Sequence, residues 1–596
     1  MSAAPAPHAA EPARDVGPGA ASLGRTVLRG AGIILVVTLA ARVAGFVRYL
    51  VFGASVGAGD VGTAYSTANL LPNVLFEVVA GGALAAVVVP LVAGLVPERD
   101  RPAAAEVGTV AAERADGARR ADAIISALLG WALLLTVPVA VVVSLLATPI
   151  AGYLLAADGT GASGVALGAR LLRIFSVQLP LYAVAVVLGA YLQARRRFFW
   201  PAMMPLISSL VVMGAYRVYA LLVPAVATST TISSGAAAWL GWGTTAGVAA
   251  MAVPVAVAAR RSGLRLRPTL RMPEGTGRRA LRLGAAGLGA VGAQQAVIAL
   301  VMVLAMRAGG TGTLPVFQYA QALYLLPFAI LVVPLVTAGF PQLSELRLVG
   351  DTIGFARATT AGLRSVIAAS VLGAAALIAA APALEQFFRL VDRAGAGGVG
   401  SATAALALGL PGFAVATQCT RVLSAALRAR DALLVGSAGW VVAALLIVIL
   451  VLPSPGRTSA MAATAFGLAI AGGMALSALV GLGRVSDLVA PGGQIPQLRR
   501  MAIVAPLAMV VASVPGLLVA KVLVTASTGT LGAVASGVLA ALVSALIAAP
   551  LLALGDPLLA RSVMRRLRRR GDGAREAGTS ATGAGPGERT DEDTSA

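Results

Sequence analysis

ARVAGFVRYLVFGASVGAGDVGTAYSTANLLPNVLFEVVAGGALAAVVVPLV, residues 41–92, is apolar enough to lie in lipid and yet carries Arg42, Arg48, Asn69, Asn73 and Glu77. Ionised groups at bilayer depth are costly unless they face protein or water, so they mark polar pathways. In the second half of the stretch, Thr63, Ser66, Asn69, Asn73 and Glu77 follow one another at steps of three, three, four and four residues. Those steps put them on one face of a helix. A polar stripe on a lipid-grade helix is expected to wall a hydrated cavity.

The surrounding chain has the same apolar character. Of its 596 residues, 58% are hydrophobic and 12% charged, against roughly 25% charged in soluble domains, and the mean hydropathy is +0.88. Segments of about 20 apolar residues recur at 29–52, 61–96, 122–148, 166–193, 201–224, 235–259, 283–306, 315–341, 361–383, 402–427, 433–453, 459–482, 500–524 and 531–557. They predict an all-α polytopic membrane protein of about fourteen transmembrane helices. The alternating segments of a β-barrel are missing from the sequence.

The net charge of +21 is concentrated in alternate loops, at Arg195–Arg197, Arg260–Arg282, Arg499–Arg500 and Arg561–Arg570. Loops 53–60, 226–233 and 525–530 carry almost no cations, and Arg307, Arg389, Arg393 and Arg457 are the few on the opposite side. This is positive-inside patterning rather than a nucleic-acid footprint, and it predicts that both termini are cytoplasmic. The single cysteine, Cys419, and single histidine, His8, exclude a disulfide framework and a Cys/His metal site. The one lysine, Lys521, is not in a Walker A motif, so no ATP site and no cofactor are expected. Membrane potential or ion coupling would then supply the driving force for any transport.

LLPNVLFEVVAGGALAAVVVPLVAGLVPE (70–98) is echoed by LLPFAILVVPLVTAGFPQLSEL (325–346), six spans later and in the same orientation. That predicts two pseudo-symmetric lobes around a central cavity, related by an axis along the membrane normal. The expected organisation is a disordered cytoplasmic tail (1–26), an N-terminal lobe (27–259), a basic cytoplasmic linker (260–282) and a C-terminal lobe (283–482). Two additional helices (483–558) and a basic, then disordered, cytoplasmic tail (559–596) follow. Pro72 and Pro327 withhold a helix N–H and crowd the preceding turn, so with Gly81 and Gly82 they are candidate hinges.

The string R-V-x-G-F-x-R at 42–48, with G-A-G at 57–59, L-P-N at 71–73, G-A at 82–83 and V-P-L at 89–91, resembles the opening of the MurJ/MviN family. These are lipid II flippases of the MOP exporter superfamily. The likeness continues at 171–207, 317–327 and 418–431, and LPNVLFE with the Arg-rich, Lys-poor composition looks like the actinobacterial branch, here without a kinase-like extension. The resemblance implies a flippase that carries lipid-linked peptidoglycan precursor from inner to outer leaflet by alternating access. It implies plasma-membrane location, lipid II or a related undecaprenyl-pyrophosphate-linked precursor as cargo, and cell-wall synthesis proteins as partners. It also implies that Arg42 and Arg48 bind pyrophosphate, which suits the planar fork of arginine. Six residues apart, the two are separated by about 9 Å along the helix and about 240° around it, so one flat wall cannot engage both. Tyr49, Thr63, Phe76, Glu77 and Ala322 stand where relatives often carry acidic or basic groups.

The candidate substrate-binding residues are thus Arg42, Arg48, Asn69, Asn73 and Glu77, together with Gln318 and Gln321 on the eighth span. Each also has a structural reading, as an arginine on helix carbonyls, a carboxylate paired with an arginine, or an amide bonded between helices. Glu77 is expected to pair with a cavity arginine when the site is empty and to be released by cargo. The basic loops are expected to contact anionic lipids as well as set topology. A polysaccharide-lipid or drug exporter of the same superfamily, and a non-transporting scaffold, remain alternative readings. No enzyme activity is expected, since no histidine lies in the core.

Overall fold

The structure, a computed structural model, describes residues 18–78, 85–92, 95, 108–156, 161–453 and 456–555. All regular structure among them is helical. The N-terminal half contains α1 (Pro18–Ser55), α2 (Asp60–Phe76), α3 (Ala85–Val92), α4 (Gly108–Leu145), α5 (Ala147–Leu155), α6 (Ala162–Ser176), α7 (Gln178–Ala194), α8 (Phe199–Leu222) and α9 (Ser234–Arg261). The second half contains α10 (Thr276–Gly309), α11 (Thr313–Pro327), α12 (Val333–Leu348), α13 (Thr352–Val391), α14 (Val399–Leu408), α15 (Leu410–Ala425), α16 (Ala429–Val451) and α17 (Ser459–Val489). The last two helices are α18 (Ile495–Leu523) and α19 (Thr530–Gly555).

Twelve of these helices, or joined pairs, are long and apolar enough to cross a membrane, and a thirteenth arises if α14 and α15, bent by 42° at Gly409, count as one. The sequence expectation was about fourteen. The remaining segment, 61–96, holds α2 and α3 but also residues outside those described, including the candidate hinges Gly81 and Gly82. Several spans are broken rather than straight. Val177 separates α6 from α7, and after Pro327 the chain opens into a π turn at Phe328–Val332 before α12 resumes. A proline removes the N–H that closes an α turn, and a π turn absorbs the resulting slip. The helix after Pro72 does the same at Glu77 and Val78, so the two Leu-Leu-Pro segments share a break as well as a sequence.

Helices α1 and α4–α9 pack mainly among themselves, α10–α17 likewise, and α18 and α19 lean on each other and on α13. Across the divide, α1 and α2 meet α11, and α2, α3 and α5 meet α10. The linker between the halves does not hang free. It runs extended along α4, with the Arg265 N–H directed at Asp122 (3.4 Å), the Arg267 N–H on Ser126 Oγ (3.1 Å) and the Trp131 indole N–H on the Leu270 carbonyl (3.0 Å). Leu264 is buried and Leu266 and Met272 pack against the same cluster, while Arg265, Arg267 and Arg271 point outward.

Close approach of α16 and α17 depends on small residues. A Cβ on Gly439 would lie 2.7 Å from both the Gly473 carbonyl oxygen and the Ser477 Cβ, and Ser477 Oγ donates to the Val435 carbonyl at 2.6 Å. The Gly473–Ser477–Gly481 stripe is therefore a packing seam. Gly473→Val should cost about 1–3 kcal/mol through forced helix separation, read as a lowered melting temperature of the detergent-purified protein. Gly483→Ala, where nothing lies within 4 Å of the added carbon, is the control. Equal melting of the two variants would refute the seam.

Candidate functional site

The α1–α2 turn closes one end of the molecule. Gly57 takes φ +80°, and a Cβ there would lie 2.9 Å from the Ala394 nitrogen, so the turn can sit directly on the loop after α13. In that loop Asp392 is buried (4% exposed). Its carboxylate accepts the Ala58 N–H (3.0 Å), the Ala394 N–H (2.9 Å) and the Tyr319 hydroxyl (2.8 Å). Arg393 does the reverse: its backbone N–H donates to the Gly53 carbonyl at 2.9 Å and its guanidinium to the Ser55 carbonyl at 2.8 Å. Nearby, the Gly312 N–H donates to Thr63 Oγ1 at 2.8 Å, again joining the two halves.

Under this latch lies a layer of rings. Phe52 meets Tyr65 at 5.3 Å and Tyr319 at 6.2 Å, and Tyr319 stacks on Phe388 at 5.0 Å. The Tyr65 hydroxyl is bonded to those of Tyr216 (2.8 Å) and Thr244 (3.0 Å). Buried hydroxyls need such partners, since an unpaired one costs on the order of 1–3 kcal/mol.

Below the rings the chain opens. Along the polar stripe of α2, Thr63 and Ser66 are buried, Asn69 and Asn73 half-buried and Glu77 exposed. On α1, Phe52 and Ser55 are buried, Arg48 half-buried and Arg42 exposed. On α11, Phe317 and Tyr319 are buried, while Gln318 and Gln321 are half-buried and Leu325 exposed. Three helices thus pass from a sealed end to an open one. Asn73 Oδ1 accepts the Tyr182 hydroxyl at 2.8 Å, and Phe76 stacks on the same ring at 4.1 Å. Arg48 has its guanidinium carbon 5.5 Å from the Tyr49 ring centroid. Glu77 was expected to pair with a cavity arginine, but no N···O distance between Arg42 and Glu77 is within 4.0 Å, so that ion pair is not made in this arrangement.

The structure therefore joins Asn73 to Tyr182, while among the described residues no hydrogen bond or ion pair links Arg48 to Tyr182 or Arg42 to Glu77. Among the described residues no hydrogen bond joins Gln318, Gln321 or Asn69 to either arginine. Pro72 is buried, and Pro327 is half-buried with its ring 2.8 Å from where a Cβ on Gly373 would sit. Asp431 pairs with Arg484 at 3.1 Å, and Arg428 with Asp487 at 2.6 Å, so α16 and α17 are clipped together at one end. Sequence reading missed Asp392 and the tyrosine layer. The available signal was Arg393, one of the few cations on the expected outer side.

Two groups of broken apolar helices, buried at one end and carrying arginine, asparagine and carboxylate toward the other, make a polytopic helical membrane fold of the kind seen in MOP-superfamily transporters. The model of the lipid II flippase MurJ family matches residues 52–540, and the chain belongs to that family. The match begins after Arg42 and Arg48, which it leaves unassigned. Among solved structures, "Lipid II flippase MurJ, inward closed conformation" is 17% identical, with 86% of this chain and 98% of that one covered at a TM-score of 0.63. An inward-facing multidrug resistance MATE family transporter of the MOP superfamily is 13% identical, covering 75% and 95% at 0.57. The chain is a multi-pass membrane protein of lipid II transport in peptidoglycan biosynthesis.

Removing the latch charge should open the sealed end. Asp392→Asn replaces one acceptor oxygen with a donor facing the Ala58 N–H, a loss of roughly 1.5–3 kcal/mol for a charged hydrogen bond. A cysteine placed by Ser66→Cys, beneath the rings, should then react about tenfold faster with an impermeant maleimide from that side. Native Cys419 is fully buried and gives the background. Unchanged labelling would show that the rings alone hold the seal.

Proposed function

We propose that this chain moves lipid II from the inner to the outer leaflet of the plasma membrane by alternating access, and that the arrangement described is the state closed to the outside. The observation that carries this reading is the burial gradient along Thr63, Ser66, Asn69, Asn73 and Glu77. With the arginine-rich loops and both termini in the cytoplasm, its open end faces the leaflet on which the precursor is made. Arg42, at the mouth, is the first cation the pyrophosphate meets, and Arg48, six residues higher, receives it under the rings. A potential negative inside favours outward transfer of the cargo's charge by about 2.3 kcal/mol per charge per 100 mV, so no nucleotide is required. Anionic lipids on the outward-pointing linker arginines and cell-wall synthesis proteins are the further partners of this reading.

Glu77 opposes Arg42 in the empty state without locking to it, so an arriving pyrophosphate competes for the arginine and leaves the carboxylate to water. Pro72 and Pro327, each followed by a π turn, are where the open halves of α2 and α11 swing.

Arg42→Ala should abolish rescue of a flippase-depleted strain while the protein remains at normal abundance in the membrane. Growth at the wild-type rate would remove Arg42 from the cargo path. Glu77→Gln keeps the side-chain size and removes the charge. It should alter the rate at which precursor reaches the outer leaflet, with melting temperature unchanged, and an unaltered rate would make Glu77 a packing residue.

A further inference from the structure

A second groove lies on the seam between the halves, away from the arginine-lined path. It is about 470 Å³, apolar, open along one side and lined by Leu71, Leu146, Ile150, Tyr153, Met302 and Val303 among others. α2 and α5 form one wall and α10 the other. Its surroundings are lipid-facing: Leu145 is 75% exposed and Leu146 49%. At its mouth, Arg307 sits with its guanidinium carbon 4.3 Å from the Tyr153 ring centroid and donates to the Tyr153 carbonyl at 3.2 Å. That hydrogen bond uses one of the five donors of a guanidinium, and the residue is exposed. Val303 lies one helical turn below Arg307 on α10, so cation and groove share a helix face. On α2, Leu71 is eleven residues below Asp60, about 16 Å along the axis and close to half of a hydrocarbon core of roughly 30 Å.

We propose that this seam is a binding site for a membrane phospholipid of the outer leaflet, with its phosphate on Arg307 and one acyl chain in the groove. The groove has the depth of one leaflet, its walls are apolar, and Arg307 stands at headgroup height, where its cation complements a phosphate. Because one wall belongs to each half, the lipid is wedged between the parts that move. The outer location rests on the orientation given above, whereas binding itself does not.

The experiment is native mass spectrometry of the full chain in detergent, titrated with phosphatidylglycerol, with diacylglycerol as the phosphate-free probe. Arg307→Gln should weaken retention of phosphatidylglycerol about tenfold, the equivalent of one charged hydrogen bond, and leave diacylglycerol unaffected. Val303→Phe, which fills the groove, should weaken both. Arg457→Gln, on the α16–α17 turn, should change neither. Equal retention by Arg307→Gln and wild type would overturn the proposal. So would displacement of phosphatidylglycerol by equimolar undecaprenyl phosphate, which would assign the groove to the cargo's chain. Retention is read without transport, so loss of the site and loss of the flippase reading are separate results.

Discussion

A carboxylate in an apolar rim must be given donors or be left in water, because an unpaired buried charge costs several kcal/mol. Asp392 takes its donors from both halves of the molecule: Ala58 from the α1–α2 turn, Tyr319 from α11 and Ala394 from its own loop. Its neighbour Arg393 supplies donors to the Gly53 and Ser55 carbonyls in return. The halves are thus reciprocally satisfied at one end, and neither loop is complete alone. Opening that end and hydrating Asp392 are one event. The ring layer of Phe52, Tyr65, Tyr319 and Phe388 depends on this contact, since separating the turn from the loop would pull Phe52 away from Tyr319.

The two Leu-Leu-Pro helices translate the seal into a gradient. Each is buried at the latch end, crosses a proline and relaxes into a π turn on the exposed side. π turns commonly sit at functional positions because the extra residue re-aims the side chains that follow. In α2 that residue step occurs at Glu77, which places the stripe's only carboxylate beyond the break. Arg42 and Arg48 lie at different heights on α1 and about 240° apart around it, so only Arg48 approaches the Tyr49 ring.

Much of this architecture was legible in the sequence, for identifiable reasons. A span of apolar residues is a local property, so each of the fourteen expected segments contains helix. The polar stripe of α2 was legible too, because a helix face repeats at a fixed step. The breaks at Val177 and Gly409 were harder to read. Neither interrupts the apolar run; twelve spans among the described residues meet the length and composition criteria, the bent pair at Gly409 makes a thirteenth, and the fourteenth expected segment, 61–96, lies partly outside the described residues. The latch was illegible because it joins Ala58 to Asp392, 334 residues apart, through backbone groups that any residue carries. The linker was expected as a basic cytoplasmic connection. Its alternation of Leu264, Arg265, Leu266 and Arg267 marks an extended segment with one greasy edge, but only α4 could reveal what that edge lies against.

The pinned linker also fixes how far the molecule can gape. Its last attachment to α4 is the Leu270 carbonyl on Trp131, and α10 begins at Thr276. Residues 271–275 are the slack between the halves on that side once the packing of Met272 gives way, and the six residue steps from Leu270 to Thr276 reach at most about 22 Å fully extended. A leash of that length allows rocking about the seam but not detachment. It sets a ceiling on the aperture through which a headgroup can pass, and it does so whatever the cargo, the voltage or the state of the opposite end.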